Sequence, residues 1–169
     1  MIRTIVLPPE LPCYDGNEYL HSIGGRAMHT EESCIFCKIV KGEIPSHKVY
    51  EDDVVVAFLD ISQVTNGHTL VIPKHHARNI YELPETVASD VFKAVPRIAN
   101  AIQLETGAIG MNVLSNAEEI AGQTVYHFHI HLIPRFGHDD GFGAKWETHA
   151  DDYSQDALKT LAASISKHV

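Results

Sequence analysis

The chain has 169 residues, 44% of them hydrophobic, and a formal net charge of −9 at pH 7 with histidine neutral. This length suits one domain with a buried core and is short for two. The acidic balance argues against a broad surface for nucleic acid or an anionic membrane, because phosphate neutralisation needs clustered Lys and Arg. No apolar run approaches the ~20 residues of a membrane span. We therefore expect a cytoplasmic protein, and its charge still allows a small anionic ligand.

The first 32 residues differ from the rest of the chain. They contain Pro8-Pro9, Pro12 and Gly24-Gly25 and show no sustained period. These chain breakers predict a poorly ordered extension over 1–32, followed by a domain with a C-terminal tail over 33–169. Because the patterned part begins soon after Met28, we expect translation to start there. N-terminal sequencing of the native protein tests this.

The remaining elements follow in chain order. Short segments rich in β-branched and aromatic residues predict five strands, over 47–51, 54–59, 68–72, 109–114 and 125–133. Apolar spacing predicts helices over 34–40, 84–106 and 156–168. Pro96 lies inside the long helix, where we expect a bend. Consecutive strands with one long inserted helix indicate an α+β fold, with an antiparallel meander sheet rather than a parallel one.

Three histidines alternate with large hydrophobic residues near the last predicted strand. In an extended strand His127, His129 and His131 would share one face, and the residues between them would face the core. The outer two histidines would lie about 13 Å apart, whereas zinc ligands converge on bonds of ~2.0–2.1 Å. The three cannot share one metal. Such a row suits a groove in which imidazoles attack, bind and protonate an anionic group.

The tripeptide Gly122-Gln123-Thr124 lies just before this row. Its glycine permits close backbone approach, and its amide and hydroxyl can donate to phosphate oxygens. Alone the tripeptide is more typical of an ordinary turn, and its position next to the histidines is what favours a phosphate site. The chain has no Gly-x-x-x-x-Gly-Lys-Ser/Thr loop, which excludes a P-loop mechanism.

These motifs together resemble one known family. The run His127-x-His129-x-His131 followed by hydrophobic residues resembles the histidine-triad (HIT) signature, and the resemblance extends from Cys34 to the C-terminus. It also includes Asp60-Ile61-Ser62, the segment 68–74, Asn116, Gly122-Gln123-Thr124 and a tail, Gly141-Phe142-Gly143-Ala144-x-Trp146, similar to that of bacterial Hint-like proteins. The resemblance implies a HIT-like α+β fold with a five-stranded sheet and a homodimer. It also implies hydrolysis of purine nucleoside phosphoramidates or dinucleoside polyphosphates, with an AMP-like ligand and no catalytic metal.

The resemblance also implies roles for single residues. His129 attacks the α-phosphorus and forms a nucleotidyl-histidine intermediate, which suits a neutral imidazole near pH 7. The residues implied to bind phosphate, orient the nucleophile or hold the leaving atom are His131, His68, Gln123, Thr124, Gly122 and Asn116. Asp60 would accept hydrogen bonds from the ribose hydroxyls; without the family it would be a turn residue ending a strand. The residues implied to hold the base are Ile35, Phe36, Ile39, Phe58 and Ile61, which are otherwise ordinary core hydrophobes.

The pair Cys34 and Cys37 has the spacing of half a structural zinc site. Related zinc-bearing proteins imply His76 and His127 as the other two ligands, with His75 and His47 as rivals. Two reduced thiols without metal, or a redox pair, are the alternatives.

Three functions remain open from the sequence. The first is a metal-independent nucleotide hydrolase or transferase that uses His129. The second is a metal-dependent phosphohydrolase in which His129, His131 and His68 hold a catalytic ion. The third is a nucleotide-binding regulatory protein, which a complementation test with an inactive His129 variant would reveal.

Overall fold

A computed structural model describes residues 21–23, 26–143 and 146–169. Its helices are α1 (Ile35–Val40), α2 (Glu85–Thr106) and α3 (Gln155–Ile165). Its strands are β1 (His21–Ile23), β2 (Arg26–Met28), β3 (Lys48–Glu51), β4 (Val55–Leu59), β5 (Thr69–Pro73), β6 (Gly110–Leu114) and β7 (Ile130–Arg135). Short 3-10 turns span Glu119–Ala121 and Ala150–Asp152. No helix of the described part is long and apolar enough to cross a membrane.

Strands β3 to β7 form one antiparallel sheet in the order β3-β4-β5-β7-β6. The predicted α+β class and the five-stranded antiparallel sheet are confirmed. β1 and β2 pair as a separate hairpin inside the predicted extension, most of which lies outside the described residues, as does Ala144 of the tail motif.

The two faces of the sheet pack against different helices. Helix α2 is followed by Gly107, whose φ of 71° suits glycine. The apolar stripe of this helix packs on Val55, Ala57, Val71, Phe128, Ile130 and Leu132. Helix α1 covers the opposite face, where it meets Val56, Phe58, Leu70 and Ile72. Because side chains alternate along a strand, the histidines between the α2-facing residues lie on the α1 side.

One boundary differs from the prediction in a way that matters for the site. Strand β7 begins at Ile130, not at residue 125, so His127 and His129 precede the regular strand. The His127 amide donates to the Val125 carbonyl over 2.9 Å, and the Phe128 amide donates to the Ala77 carbonyl over 2.7 Å. These bonds take the place of regular inter-strand hydrogen bonds. Phe128 nevertheless lies in the α2-side core, so the side chains before β7 still alternate between the two faces of the sheet.

Candidate active site

His129 is a buried side chain whose two ring nitrogens have different surroundings. Its Nδ1 lies 2.7 Å from the carbonyl oxygen of His127. Since a carbonyl can only accept, Nδ1 carries the hydrogen and the lone pair of the neutral ring is on Nε2. Burial lowers the pKa of His129. The residue is therefore held as a neutral imidazole with one nitrogen free to attack an electrophile.

His131 and His68 form a pair beside this nucleophile. The Nε2 atom of His68 lies 2.9 Å from Nδ1 of His131, and the rings of His131 and His129 lie 4.9 Å apart. Burial, reinforced by His129 and His68, lowers the pKa of His131 to about 4. Burial also lowers the pKa of His68, against the opposing effect of Asp60. The pair is neutral near pH 7 and offers hydrogen-bonding groups to a phosphate.

Asp60 follows β4 and turns its carboxylate towards the histidine pair. Its Oδ1 accepts from the Ser62 amide over 2.7 Å, while Oδ2 lies 3.7 Å from Nδ1 of His68. The turn role expected of a strand-ending aspartate is present. The second oxygen lies beside the histidine pair.

The five hydrophobic residues expected at the base divide into two groups. Phe36, Ile39 and Phe58 are buried in the α1-side core, and the rings of Phe36 and His129 meet at 87° with centroids 5.4 Å apart. Ile35 and Ile61 are exposed, at 47% and 94%. Ile35 and Ile61 therefore have free surface for a ligand, whereas the other three belong to the core.

The loop 116–124 lies beside the row of histidines. Asn116 donates from Nδ2 to the Gly122 carbonyl over 3.4 Å. Gly122 has φ 89°, and a Cβ there would lie 3.4 Å from that same Nδ2, so glycine suits both the backbone and the space. Thr124 is exposed, which leaves its hydroxyl available to a ligand.

Gln123 has a different environment from that expected of a phosphate donor. Its side chain is buried, and its Oε1 accepts from the Glu118 amide over 2.8 Å. Its Nε2 donates to the carbonyls of Arg78 and Val125, over 2.7 and 3.1 Å. Both of its polar groups are thus used within the protein to brace the loop.

Two further residues of this region had no signal in the sequence pattern. Glu118 has φ 70° and ψ 162°, a region that costs a residue other than glycine about 1–3 kcal/mol. Its carboxylate receives two hydrogen bonds from Arg78, of 3.0 and 2.8 Å. A glutamate in a polar loop is usually solvated, so only the backbone angles and this ion pair make it conspicuous.

Cys34, Cys37, His76 and His127 bring one ligand atom each within 4.8 Å of one another. A tetrahedral zinc ion, with bonds of ~2.3 Å to sulfur and ~2.0–2.1 Å to nitrogen, requires S···N separations of ~3.6 Å and N···N of ~3.3 Å. Three of the four Sγ to Nδ1 pairs lie 3.4, 3.5 and 3.6 Å apart, and the two Nδ1 atoms lie 3.3 Å apart. Nε2 of His127 donates to the Pro73 carbonyl over 2.9 Å, which leaves Nδ1 free to bind a metal. The cluster fits such an ion.

The rival ligands do not join this cluster. Nδ1 of His75 accepts from the His29 amide over 3.3 Å, and His47 is exposed in a groove lined by Ile98 and Ala101 of α2. The His29 carbonyl also accepts from the His76 amide over 2.7 Å. Residues just before the predicted domain boundary at 33 therefore contact the cluster.

A second group that can hold a metal consists of Asp60, His68 and His131. It bears on the metal-dependent alternative, which placed His129 at the ion beside His68 and His131. Among the described residues, Asp60 and not His129 completes this group with His68 and His131.

Fold and site together define a small α+β protein that holds a neutral imidazole ready for attack beside further hydrogen-bonding histidines. Residues 41–138 match the family model of the HIT domain. The chain is 58% identical over 142 residues to Protein hit of Bacillus subtilis, covering 84% of this chain and 98% of that protein. It is 39% identical over 132 residues to an adenosine 5'-monophosphoramidase of Candida albicans, covering 76% of this chain and 87% of that protein.

A solved structure agrees with these sequence matches. The crystal structure of a HIT family protein from Bacillus anthracis superposes with a TM-score of 0.80 at 55% identity, covering 83% of this chain and 99% of that one. The chain belongs to the HIT family, and the expected resemblance is confirmed.

Proposed function

We propose that the protein is a histidine-triad nucleotide hydrolase that cleaves purine nucleoside phosphoramidates at the α-phosphate through a nucleotidyl-histidine intermediate on His129. Dinucleoside polyphosphates are a second substrate class cleaved at the same atom. The observation that carries the proposal is the hydrogen bond from Nδ1 of His129 to the His127 carbonyl, which frees Nε2. The name of the Candida albicans relative, an adenosine 5'-monophosphoramidase, supports the substrate class.

The reaction proceeds by two displacements at phosphorus. In the first, Nε2 of His129 forms a bond to the α-phosphorus while the bond to the amine breaks, and the leaving nitrogen takes up a proton from solvent. In the second, water attacks the same phosphorus, the bond to Nε2 breaks, the nucleoside monophosphate leaves, and the proton that the water loses returns to solvent. Dividing one difficult displacement into two is the advantage of a covalent route.

The surrounding residues hold the nucleotide. The phosphate contacts His131, Asn116, Thr124 and the backbone at Gly122, where hydrogen bonds stabilise the charge that develops on its oxygens. His68 acts behind them, by holding the His131 ring through its Nε2. Gln123 contributes by holding this loop. Asp60 accepts from the ribose hydroxyls. The base lies on Ile35 and Ile61, supported by Phe36, Ile39 and Phe58.

We also propose a structural zinc ion held by Cys34, Cys37, His76 and His127. The distances within the cluster fit tetrahedral coordination. The ion would supply a cross-link between α1, the segment after β5 and the backbone just before His129. Both cysteines are free thiols in the structure, and a reducing cytoplasm would keep them available.

A homodimer is the proposed assembly. Strand β6 is an edge of the sheet and carries neither a charge nor a proline, so nothing on it prevents pairing with a second copy. Its residues Val113 and Leu114 are exposed, as is Leu104 of α2. Helix α3 also presents exposed hydrophobic residues, Leu158, Leu161 and Ile165, which a second copy would cover.

Hydrolysis of adenosine 5'-phosphoramidate by the purified protein tests the activity. We expect turnover that persists with a chelator, and a fall of kcat by roughly 10³-fold or more in His129→Ala, because the nucleophile is lost. His138→Ala, which alters an exposed histidine after β7, is the matched control and should keep wild-type turnover. Turnover that a chelator abolishes while one zinc ion per protomer is retained, and that a divalent cation restores, would instead favour a metal at Asp60, His68 and His131.

A further inference from the structure

Glu118 is the one non-glycine residue of the described part whose φ is positive. At φ 70° and ψ 162° it occupies a region that is essentially reserved for glycine. A residue stays in such a conformation only when its surroundings determine it strongly, and strained residues of this kind cluster at functional sites. The contacts of the Glu118 side chain and backbone indicate what holds it in this conformation.

The side chain of Glu118 is held from the segment between β5 and α2. Arg78 donates from Nε to Oε1 over 3.0 Å and from Nη2 to Oε2 over 2.8 Å, a two-pronged geometry that fixes direction as well as charge. The buried Asn79 donates from Nδ2 to Oε1 over 2.7 Å. The Arg78 guanidinium also lies 3.9 Å over the ring of Tyr126, which limits its own freedom.

The backbone of Glu118 closes the loop 116–124. Its amide donates to Oε1 of Gln123 over 2.8 Å, and its carbonyl accepts from the amides of Ala121 and Gln123, both over 3.1 Å. Nε2 of Gln123 returns to the Arg78 carbonyl over 2.7 Å. The loop is thus hydrogen-bonded both to the side chain of Arg78 and to its backbone carbonyl.

The loop 116–124 and the Arg78 segment are each hydrogen-bonded to the backbone next to the nucleophile. Just before the loop, Ser115 donates from its hydroxyl to the His129 carbonyl over 2.8 Å. Next to Arg78, the Ala77 carbonyl accepts from the Phe128 amide over 2.7 Å. A change in the Arg78–Glu118 pair would therefore displace the loop relative to His129, while the Ser115 and Ala77 hydrogen bonds stay in place.

We propose that Glu118 is a positioning residue, whose strained backbone and ion pair with Arg78 hold the loop 116–124 where it contacts the phosphate of a bound nucleotide. This inference rests on the proposed function, since it needs a nucleotide phosphate beside that loop. It assigns Glu118 no contact with the substrate. The loop residues that face the ligand, Asn116, Gly122 and Thr124, act in the place that Glu118 fixes for them.

The decisive variant is Glu118→Gly, because glycine adopts the same backbone angles without strain and lacks the carboxylate. Affinities for AMP and for adenosine are measured by calorimetry, beside kcat for adenosine 5'-phosphoramidate and the thermal midpoint. We expect AMP affinity and kcat each to fall on the order of tenfold, the scale for loss of a charge-assisted hydrogen bond. Adenosine affinity stays at the wild-type value, and the midpoint is equal or higher.

Matched variants separate positioning from a merely structural role. Glu119→Gly removes the same charge and introduces the same flexibility one residue further on, at an exposed side chain, and should match the wild type in all four measurements. Glu118→Gln keeps an acceptor for Asn79 and should recover part of the AMP affinity. Arg78→Lys keeps the positive charge without the fork and should show the same selective loss even if Glu118→Gly does not fold.

Each outcome decides the inference. AMP affinity and kcat within twofold of wild type in a folded Glu118→Gly protein would overturn it, as would equal losses for AMP and adenosine. A wild-type protein that binds AMP but does not turn over the phosphoramidate would overturn the proposed activity alone, and the AMP-to-adenosine comparison would still decide the role of Glu118. Absence of AMP binding by the wild type would overturn both.

Discussion

His127 and His129 lie two residues apart and present opposite ring nitrogens for binding. His127 donates from Nε2 to the Pro73 carbonyl and turns Nδ1 to the cysteines. His129 donates from Nδ1 to the His127 carbonyl and keeps Nε2 free. Backbone carbonyls therefore fix two different tautomers in one short segment, which supports the proposed role of His127 in metal binding and of His129 in attack on phosphorus.

Elemental analysis of the purified protein should find one zinc ion per protomer. Cys37→Ala should lose it, because three ligands remain of the four that a closed structural site needs. His47→Ala and His75→Ala, which change the rival ligands, should retain one zinc. Full zinc content in Cys37→Ala, or zinc loss in His75→Ala with retention in His76→Ala, would contradict the assigned ligand set.

The stability of the protein should depend on pH through His131. Its pKa is about 4 in the folded protein, against an ordinary value of about 6.5 in an unfolded chain. Between these values the unfolded state binds more protons, so the stabilisation is complete above pH 6.5 and is lost as the pH falls towards 4.

Urea unfolding at pH 7 and pH 5 measures this effect. The wild type should lose on the order of 1 to 2 kcal/mol more than His131→Gln over this interval. His138→Gln, at an exposed histidine, should follow the wild type. Parallel curves for the wild type and His131→Gln would show that His131 titrates normally in the folded protein.

The α2-side core should be sensitive to loss of volume beneath the histidine row. Leu132 has no exposed surface, and Leu132→Ala should lower the free energy of unfolding by about 2–5 kcal/mol through lost burial and a residual cavity. Ile120→Ala, at a side chain 97% exposed, should change it by less than about 0.5 kcal/mol. Denaturant titration compares the two, and equal effects would be inconsistent with this core.

Sedimentation should show a dimer that depends on the β6 edge. Val113→Asp places a charge on that edge and should give monomers, because a buried unpaired carboxylate is costly. Val49→Asp makes the same change at an exposed valine of β3, the opposite edge, and should stay dimeric. The reverse result would assign the interface to β3.

The elements followed from the sequence because their signals are local. The stripe of α2, with Gly107 after its end, and the β-branched runs of β4 and β5 each determine their own structure. The start of β7 was misplaced because the bond from the Phe128 amide goes to Ala77, a contact between distant residues that no period reveals.

The site was predictable where a family motif marks it and not where tertiary contacts create it. The spacing of Cys34 and Cys37 predicts a metal site, and the structure brings His76 and His127 to these two cysteines in a cluster that could hold a metal ion. The engagement of Gln123 with the Glu118 amide and the Arg78 carbonyl depends on how the loop folds. No residue type or spacing distinguishes that glutamine from one that binds phosphate.

Trapping the covalent intermediate shows whether His129 is the nucleophile. The wild-type protein is mixed with adenosine 5'-phosphoramidate, quenched within one turnover under conditions that preserve the P–N bond, digested and analysed by mass spectrometry. We expect an adenylylated peptide with the group on His129, absent in His129→Ala and present in His138→Ala. Adenylylation of His131 or His68, or turnover without any modified histidine, would contradict this expectation.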